Sequence, residues 1–163
     1  MELVLVRHGQ AHDSSPSTGD AGRRLTDKGH AQAEAVGQLL NRMDLVPDLV
    51  FSSPLLRARE TAAGVLAAFS ETESPITQEW LGFEMRPSSV MAELGALPDE
   101  IRHVVLVGHE PSFSEMVSWL LGAEVGYAEV KKAAIAHFRL SPPSRHGAVL
   151  KMLVPPKVFL TQS

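Results

Sequence analysis

Four side chains in this sequence are of the types and in the settings to do chemistry together: Arg7, His8, Arg57 and His109. Guanidinium groups offer planar forks of donors that suit phosphate oxygens, and their charge does not titrate away. A bound phosphoryl group brings about −1.5 to −2 charges, which two arginines and one protonated histidine would neutralise. The second imidazole then has another use. Neutral histidine is a competent nucleophile, and nearby guanidinium charge lowers its pKa below the usual value of about 6.5. The chain has no cysteine to compete for that role, and no serine stands beside a histidine as an obvious activation pair. The expected chemistry is phosphoryl transfer: His8 attacks phosphorus, while Arg7, Arg57 and His109 bind the equatorial oxygens and stabilise charge.

These residues are far apart in the chain, so the fold must bring them together. Leu3-Val4-Leu5-Val6 reads as a short strand buried on both faces, running straight into Arg7-His8-Gly9. Charged and polar groups would be costly inside such a strand, so they belong at its carboxyl end. Gly9 is expected to free the backbone for a turn and to let a ligand approach closely, which places it with the substrate-binding residues. The same grammar recurs twice: Asp48-Leu49-Val50-Phe51 leads into Ser52-Ser53-Pro54-Leu55-Leu56-Arg57, and His103 through Val107 leads into Gly108-His109-Glu110-Pro111. Strands alternating with helices through right-handed crossovers make a parallel sheet, whose carboxyl edge is where open α/β folds bind ligands. If the three strands are near neighbours, all four residues share that edge.

Helical patterns fill the intervals. Thr26 is a plausible N-cap for a helix bearing Val36, Leu39, Leu40 and Met43, and Pro54 suits the start of the next. Ile76 and Thr77 could form an edge strand, Ser88 or Ser89 could cap a helix through Leu97, and Trp80, Phe83 and Met85 read as packing residues. Phe113, Met116, Val117, Leu120 and Leu121 have helical spacing, with Gly122 placed as a C-cap and the entry either at Glu110 or at Ser112, where Ser112 and Glu115 fit a capping box. The start of this helix should add backbone donors and the positive end of a dipole to the anion site. Residues 133–140 and 148–154 read as a hairpin. The segment from Gln10 to Arg24 lacks periodicity and is a loop of functional length beside the site.

With 163 residues, 44% hydrophobic and 21% charged, the chain is expected to be a single domain over residues 1–163. A formal net charge of −4 argues against nucleic acid or an anionic membrane as partner. No apolar run reaches membrane-spanning length, and the first residues do not read as a signal peptide, so a cytoplasmic monomer is expected.

Together, Arg7-His8-Gly9, the run Ser-Ser-Pro-Leu-Leu-Arg-Ala-Arg-Glu-Thr with Arg57, Gly108-His109-Glu110-Pro111 and Arg24-Leu25-Thr26-Asp27-Lys28-Gly29 resemble the histidine phosphatase (phosphoglycerate mutase-like) superfamily. The resemblance implies an α/β three-layer sandwich, with a mixed, mostly parallel sheet and helices on both faces. It also implies a core of Arg7, Arg57, His109 and a phosphorylated His8, without metal or other cofactor. The short chain is most similar to the SixA-type protein phosphohistidine phosphatases, since only residues 71–102 could cap the site. Its expected partner is therefore a phosphorylated protein or a small phosphoester. The general acid used by other members is not placed: Glu110, Glu79 and Glu84 are candidates, and Glu110 also suits a purely capping role. Whether Arg24 contacts substrate is likewise open. His30, His103, His137, His146 and Arg59 read as structural or solvated. Three other functions compete: a metal-dependent hydrolase using His8, His12, Asp13 and His109, a non-catalytic phosphate-binding module, and a mutase or phosphatase of small metabolites.

Overall fold

The computed structural model describes residues 1–14, 16–17, 19–70 and 73–160. Ser15 and Thr18 of the long loop, and the first two positions of the 71–102 segment, lie outside the described residues. Six strands form one sheet: β1 (Glu2–Arg7), β2 (Leu49–Ser52), β3 (Ile76–Thr77), β4 (His103–Gly108), β5 (Ile135–Leu140) and β6 (Ala148–Val154). Their order across the sheet is β3-β2-β4-β1-β5-β6. The first four run parallel, while β5 is antiparallel to β1 and β6 antiparallel to β5.

The alternation of side chains along each strand makes two cores. Leu3, Leu5, Val104, Leu106 and Phe138 face one side, and Val4, Val6, Val50, Val105 and Val107 the other. Helices α1 (Asp27–Arg42) and α2 (Leu56–Leu66) cover the second side through Val36, Leu40, Ala58, Ala62 and Val65. Helices α3 (Pro87–Gly95) and α4 (Ser112–Leu120) cover the first, through Val90, Met91, Leu94, Phe113, Met116 and Val117. The result is the expected three-layer sandwich. Gly37 is what lets α1 and α2 touch: a Cβ there would lie 2.2 Å from the Val65 carbonyl oxygen.

Register is what positions the site. Arg7 pairs with Gly108 across β1 and β4, so His8 and His109 leave adjacent parallel strands at the same level. Ser52 pairs with Val107 across β2 and β4, which brings Ser53 level with Gly108. The backbone continues these ladders past the strand ends, with His8 N donating to Gly108 O at 3.0 Å and Ser53 N to Val107 O at 3.0 Å.

Several local expectations are corrected. Helix α2 starts at Leu56, after Leu55, rather than at Pro54. Helix α3 starts at Pro87, whose ring presets φ at the first helical position, and not after a serine cap. No Ser112–Glu115 box forms at α4, because Pro111 stands at the N-cap and the Glu110 carboxylate accepts from Ser114 N. The amides of Phe113, Ser114 and Glu115 go to His109 O, Glu110 and Pro111 O, so they are not donors for a bound anion. Thr26, by contrast, caps α1 by accepting from Gly29 N at 3.1 Å, and Gly122 follows α4 with φ +72°.

Candidate active site

His8 is buried, and its hydrogen bonds fix its chemistry. Its Nδ1 lies 2.7 Å from the Gly9 carbonyl oxygen, which can only accept, so Nδ1 carries the proton. Nε2 therefore holds the lone pair, and Arg57 Nε–H donates to it at 3.2 Å. Burial pushes the imidazole down to about 3, the Gly9 carbonyl opposes this, and the nearby His109, Arg57 and Arg7 push it further down. The ring is neutral at physiological pH.

His109 lies beside it, the two ring centroids being 5.2 Å apart. Burial, reinforced by Arg57, lowers its pKa to about 4, with Asp20 pulling the other way. Its Nε2 is 2.6 Å from the Ser53 hydroxyl, which itself accepts from Leu55 N at 3.3 Å. With the Ser53 proton turned to Nε2, the His109 proton sits on Nδ1. That atom is buried and has no hydrogen-bond partner among the described residues, and Arg7 Nε is in the same condition. Buried donors without acceptors cost about 1–3 kcal/mol each. The two lie at adjoining strand ends, on β1 and just past β4.

The arginines are held from behind. Arg7 Nη1 donates to Val130 O at 2.9 Å, and burial lowers the Arg7 pKa against the opposing charges of Glu110 and Glu129. Arg57 is 4% exposed. It donates from Nη1 to Asp20 O at 2.8 Å and from Nη2 to Asp20 Oδ2 at 3.0 Å. The fold thus brings all four predicted side chains to one edge.

Gly9 sits beside them. It is not among the positive-φ glycines, which are Gly19, Gly122 and Gly126. A Cβ on Gly9 would lie 2.7 Å from Gly29 O, and its amide donates to Thr61 Oγ1 at 3.1 Å. Its small size serves the approach of α1 to the strand end.

Of the carboxylates, Glu110 places both oxygens on Ser114, whose hydroxyl in turn accepts from Val130 N. It ties the start of α4 to the segment that holds Arg7. Glu79 and Glu84 are exposed on a cleft shared with Ala21, Pro54 and Phe83. Phe83 corrects its expectation as a packing residue: it is 64% exposed, with its ring centroid 5.9 Å from that of His109. Arg24 is 73% exposed and paired to Glu60 at 3.0 Å. Among the described residues, no group of three or more His, Asp or Glu side chains converges to hold a metal.

Ser53, Asp20 and Thr61 were not singled out from sequence. Ser53 carried a signal, being a polar residue between a buried strand and a proline at the same edge. Asp20 carried a weaker one, as an acid in a loop of functional length. Thr61 carried none, because its contact with Gly9 joins two elements that only packing makes neighbours.

Residues 3–81 match the model of the histidine phosphatase superfamily, branch 1. An uncharacterised protein of Picosynechococcus sp. is 34% identical over 145 residues, covering 85% of each chain. A 2,3-bisphosphoglycerate-dependent phosphoglycerate mutase of Bifidobacterium longum is 38% identical over 81 residues, covering 48% of this chain but only 33% of the mutase. The solved structure of the protein histidine phosphatase SixA complexed with tungstate superposes with a TM-score of 0.85 at 24% identity, covering 97% of this chain and 99% of that one. That likeness is one of fold. The chain belongs to the histidine phosphatase superfamily.

Proposed function

We propose that this protein is a phosphatase that transfers a phosphoryl group to His8 and then to water, acting on phosphohistidine in a partner protein. The observation that carries this reading is the fixed tautomer of His8. A neutral ring with Nδ1 tied to Gly9 O presents the Nε2 lone pair to the arginine fork of Arg57, beside the unpaired Nδ1–H of His109. Phosphorus enters between Nε2 and Arg57. The N–P bond forms as the bond to the leaving atom breaks, and Arg57, Arg7 and His109 take the equatorial oxygens. Water then attacks the phosphohistidine, releasing orthophosphate and restoring the ring. Gly9 serves by keeping its carbonyl in place against Nδ1. The reading calls for no metal or other cofactor, and takes the chain as a monomer with one catalytic domain over residues 1–163.

A macromolecular substrate is supported by the openness of the edge. The segment between β3 and β4 is committed to the core through Leu81, Val90, Met91 and Leu94, while Glu79 and the Gly82–Glu84 stretch line the cleft beside the site. A phosphorylated imidazole also depends less on a general acid, since P–N cleavage is intrinsically easier. The alternative substrate is a small phosphorylated metabolite, favoured by the 38% identity to a mutase over 81 residues.

Rapid-quench labelling with a ³²P-labelled substrate should give an acid-labile phosphoprotein whose label maps to the peptide containing His8. His8→Ala should abolish both label and turnover while keeping affinity for orthophosphate. Turnover of a chromogenic phosphate ester should survive exhaustive chelation. A variant that retains the label would sink the nucleophile assignment. A panel of phosphohistidine protein against sugar phosphates decides the substrate.

A further inference from the structure

The guanidinium of Arg57 already holds an anion. Asp20 Oδ2 lies 3.0 Å from Arg57 Nη2, and Asp20 Oδ1 lies 3.0 Å from Arg23 Nη1. Arg57 has all three nitrogens engaged, two of them by Asp20 and one by the nucleophile. The Arg57 side chain is 5% exposed and that of Asp20 45%, so the carboxylate stands between the buried fork and solvent, at the mouth of the site. Its charge also reaches His109, the other proposed phosphoryl ligand. We propose that the Asp20 carboxylate is the resident anion of the ligand-free site, occupying the arginine-lined position of a phosphoryl group until substrate displaces it.

This rests on the phosphatase reading in one respect only, that the site binds phosphate. The exchange is a side-chain rotation. The backbone at this point is pinned by Leu56 N donating to Ala21 O at 3.2 Å, and the Asp20 carbonyl continues to hold Arg57 Nη1. Arg57 therefore keeps its place while Nη2 passes from carboxylate to phosphoryl oxygen, and no bond is made or broken. A half-exposed carboxylate is returned to water at small cost, since ion pairs open to solvent contribute little. The cost is not zero, because the fork it leaves is buried. Every anionic ligand meets the same threshold, so affinity for phosphate is lowered across the board and release of orthophosphate is eased.

The sign of one measurement separates this from a supporting role. Asp20→Asn and Asp20→Ala keep the backbone carbonyl and remove the competing charge. Titration calorimetry with orthophosphate should show binding tightened by about two- to fivefold in both variants, and KM for a chromogenic phosphate ester should fall. If Asp20 merely positions Arg57, both variants bind orthophosphate more weakly than the parent. Weaker binding, unchanged binding, or no orthophosphate binding by any of the three proteins overturns the proposal. Thermal midpoints check that each variant is folded, and the alanine variant stands in if the asparagine one is not. Calorimetry needs no turnover, so failure of the catalytic reading would appear separately, as phosphate binding without hydrolysis.

Discussion

The proposed nucleophile is a histidine whose other nitrogen is committed. The Gly9 carbonyl accepts a hydrogen bond from His8 Nδ1–H, and burial with neighbouring positive charge keeps a second proton off Nε2. His109 is prepared in the opposite sense, with Nε2 on the Ser53 hydroxyl and Nδ1 left as the unpaired donor. Ser53 thus acts through His109 and not on substrate. Ser53→Ala should free the ring to rotate and leave Nε2 unpaired, at about 1–3 kcal/mol. That corresponds to roughly a tenfold or greater loss in kcat/KM on a chromogenic ester, with weaker inhibition by orthophosphate. Unaltered inhibition would remove Ser53 from the positioning role.

At the scale of elements, the site depends on how closely α1 approaches the end of β1. Gly9 and Gly29 face each other, and Cβ atoms would lie 2.7 Å from Gly29 O in the first case and 2.0 Å from Gln10 O in the second. Both close contacts are to backbone, which cannot step aside as a flexible side chain would. Gly29→Ala should cost about 1–3 kcal/mol through overpacking, and the thermal midpoint should drop by about 2–4 °C per kcal/mol in a chain of this size. Because Thr26 caps α1 by accepting from Gly29 N, the same change should loosen the 10–24 loop. A midpoint within a degree of the parent would mean that α1 and the loop slide apart freely. Loop anchoring is otherwise polar: the Glu60 carboxylate accepts from Arg24 Nε at 3.0 Å and from Leu25 N at 2.7 Å.

At the scale of the molecule, two buried imidazoles with depressed pKa values make the fold sensitive to acid. Above pH of about 6.5 both states leave these rings neutral, and they add nothing to the pH dependence. Below it the unfolded chain takes up protons that native His8 and His109, at about 3 and about 4, refuse. The unfolded state then binds more protons, so stability falls with falling pH, by up to about 1.4 kcal/mol per histidine per unit. The urea midpoint should drop between pH 7 and pH 5, and the drop should shrink in a variant with both residues changed to asparagine. An equal drop in that variant would assign the acid sensitivity to other groups. Orthophosphate should raise the midpoint at either pH by mass action.

The sequence by itself determined which strands are buried on both faces, since runs such as Leu3–Val6 and Val104–Val107 leave no polar side for water, and hence that Arg7, His8 and His109 stand at strand ends. It indicated Arg57 as well, because a cation in the first turn of a helix that follows such a strand, off the helix's apolar stripe, can point at that same edge. What tertiary structure decided is everything that depends on contacts between remote segments. The lockstep of His8 with His109 follows from the β1–β4 register, which no local pattern encodes. The contact of Gly9 with Gly29 was not legible, because only the packing of α1 brings the two together. Phe83 looked like core and is rim, since hydrophobicity says what a residue would bury and not whether a neighbour is there to cover it. Asp20 and Ser53 acquire meaning only when their oxygens come within hydrogen-bonding distance of Arg57 and His109, and those distances are set by the whole fold.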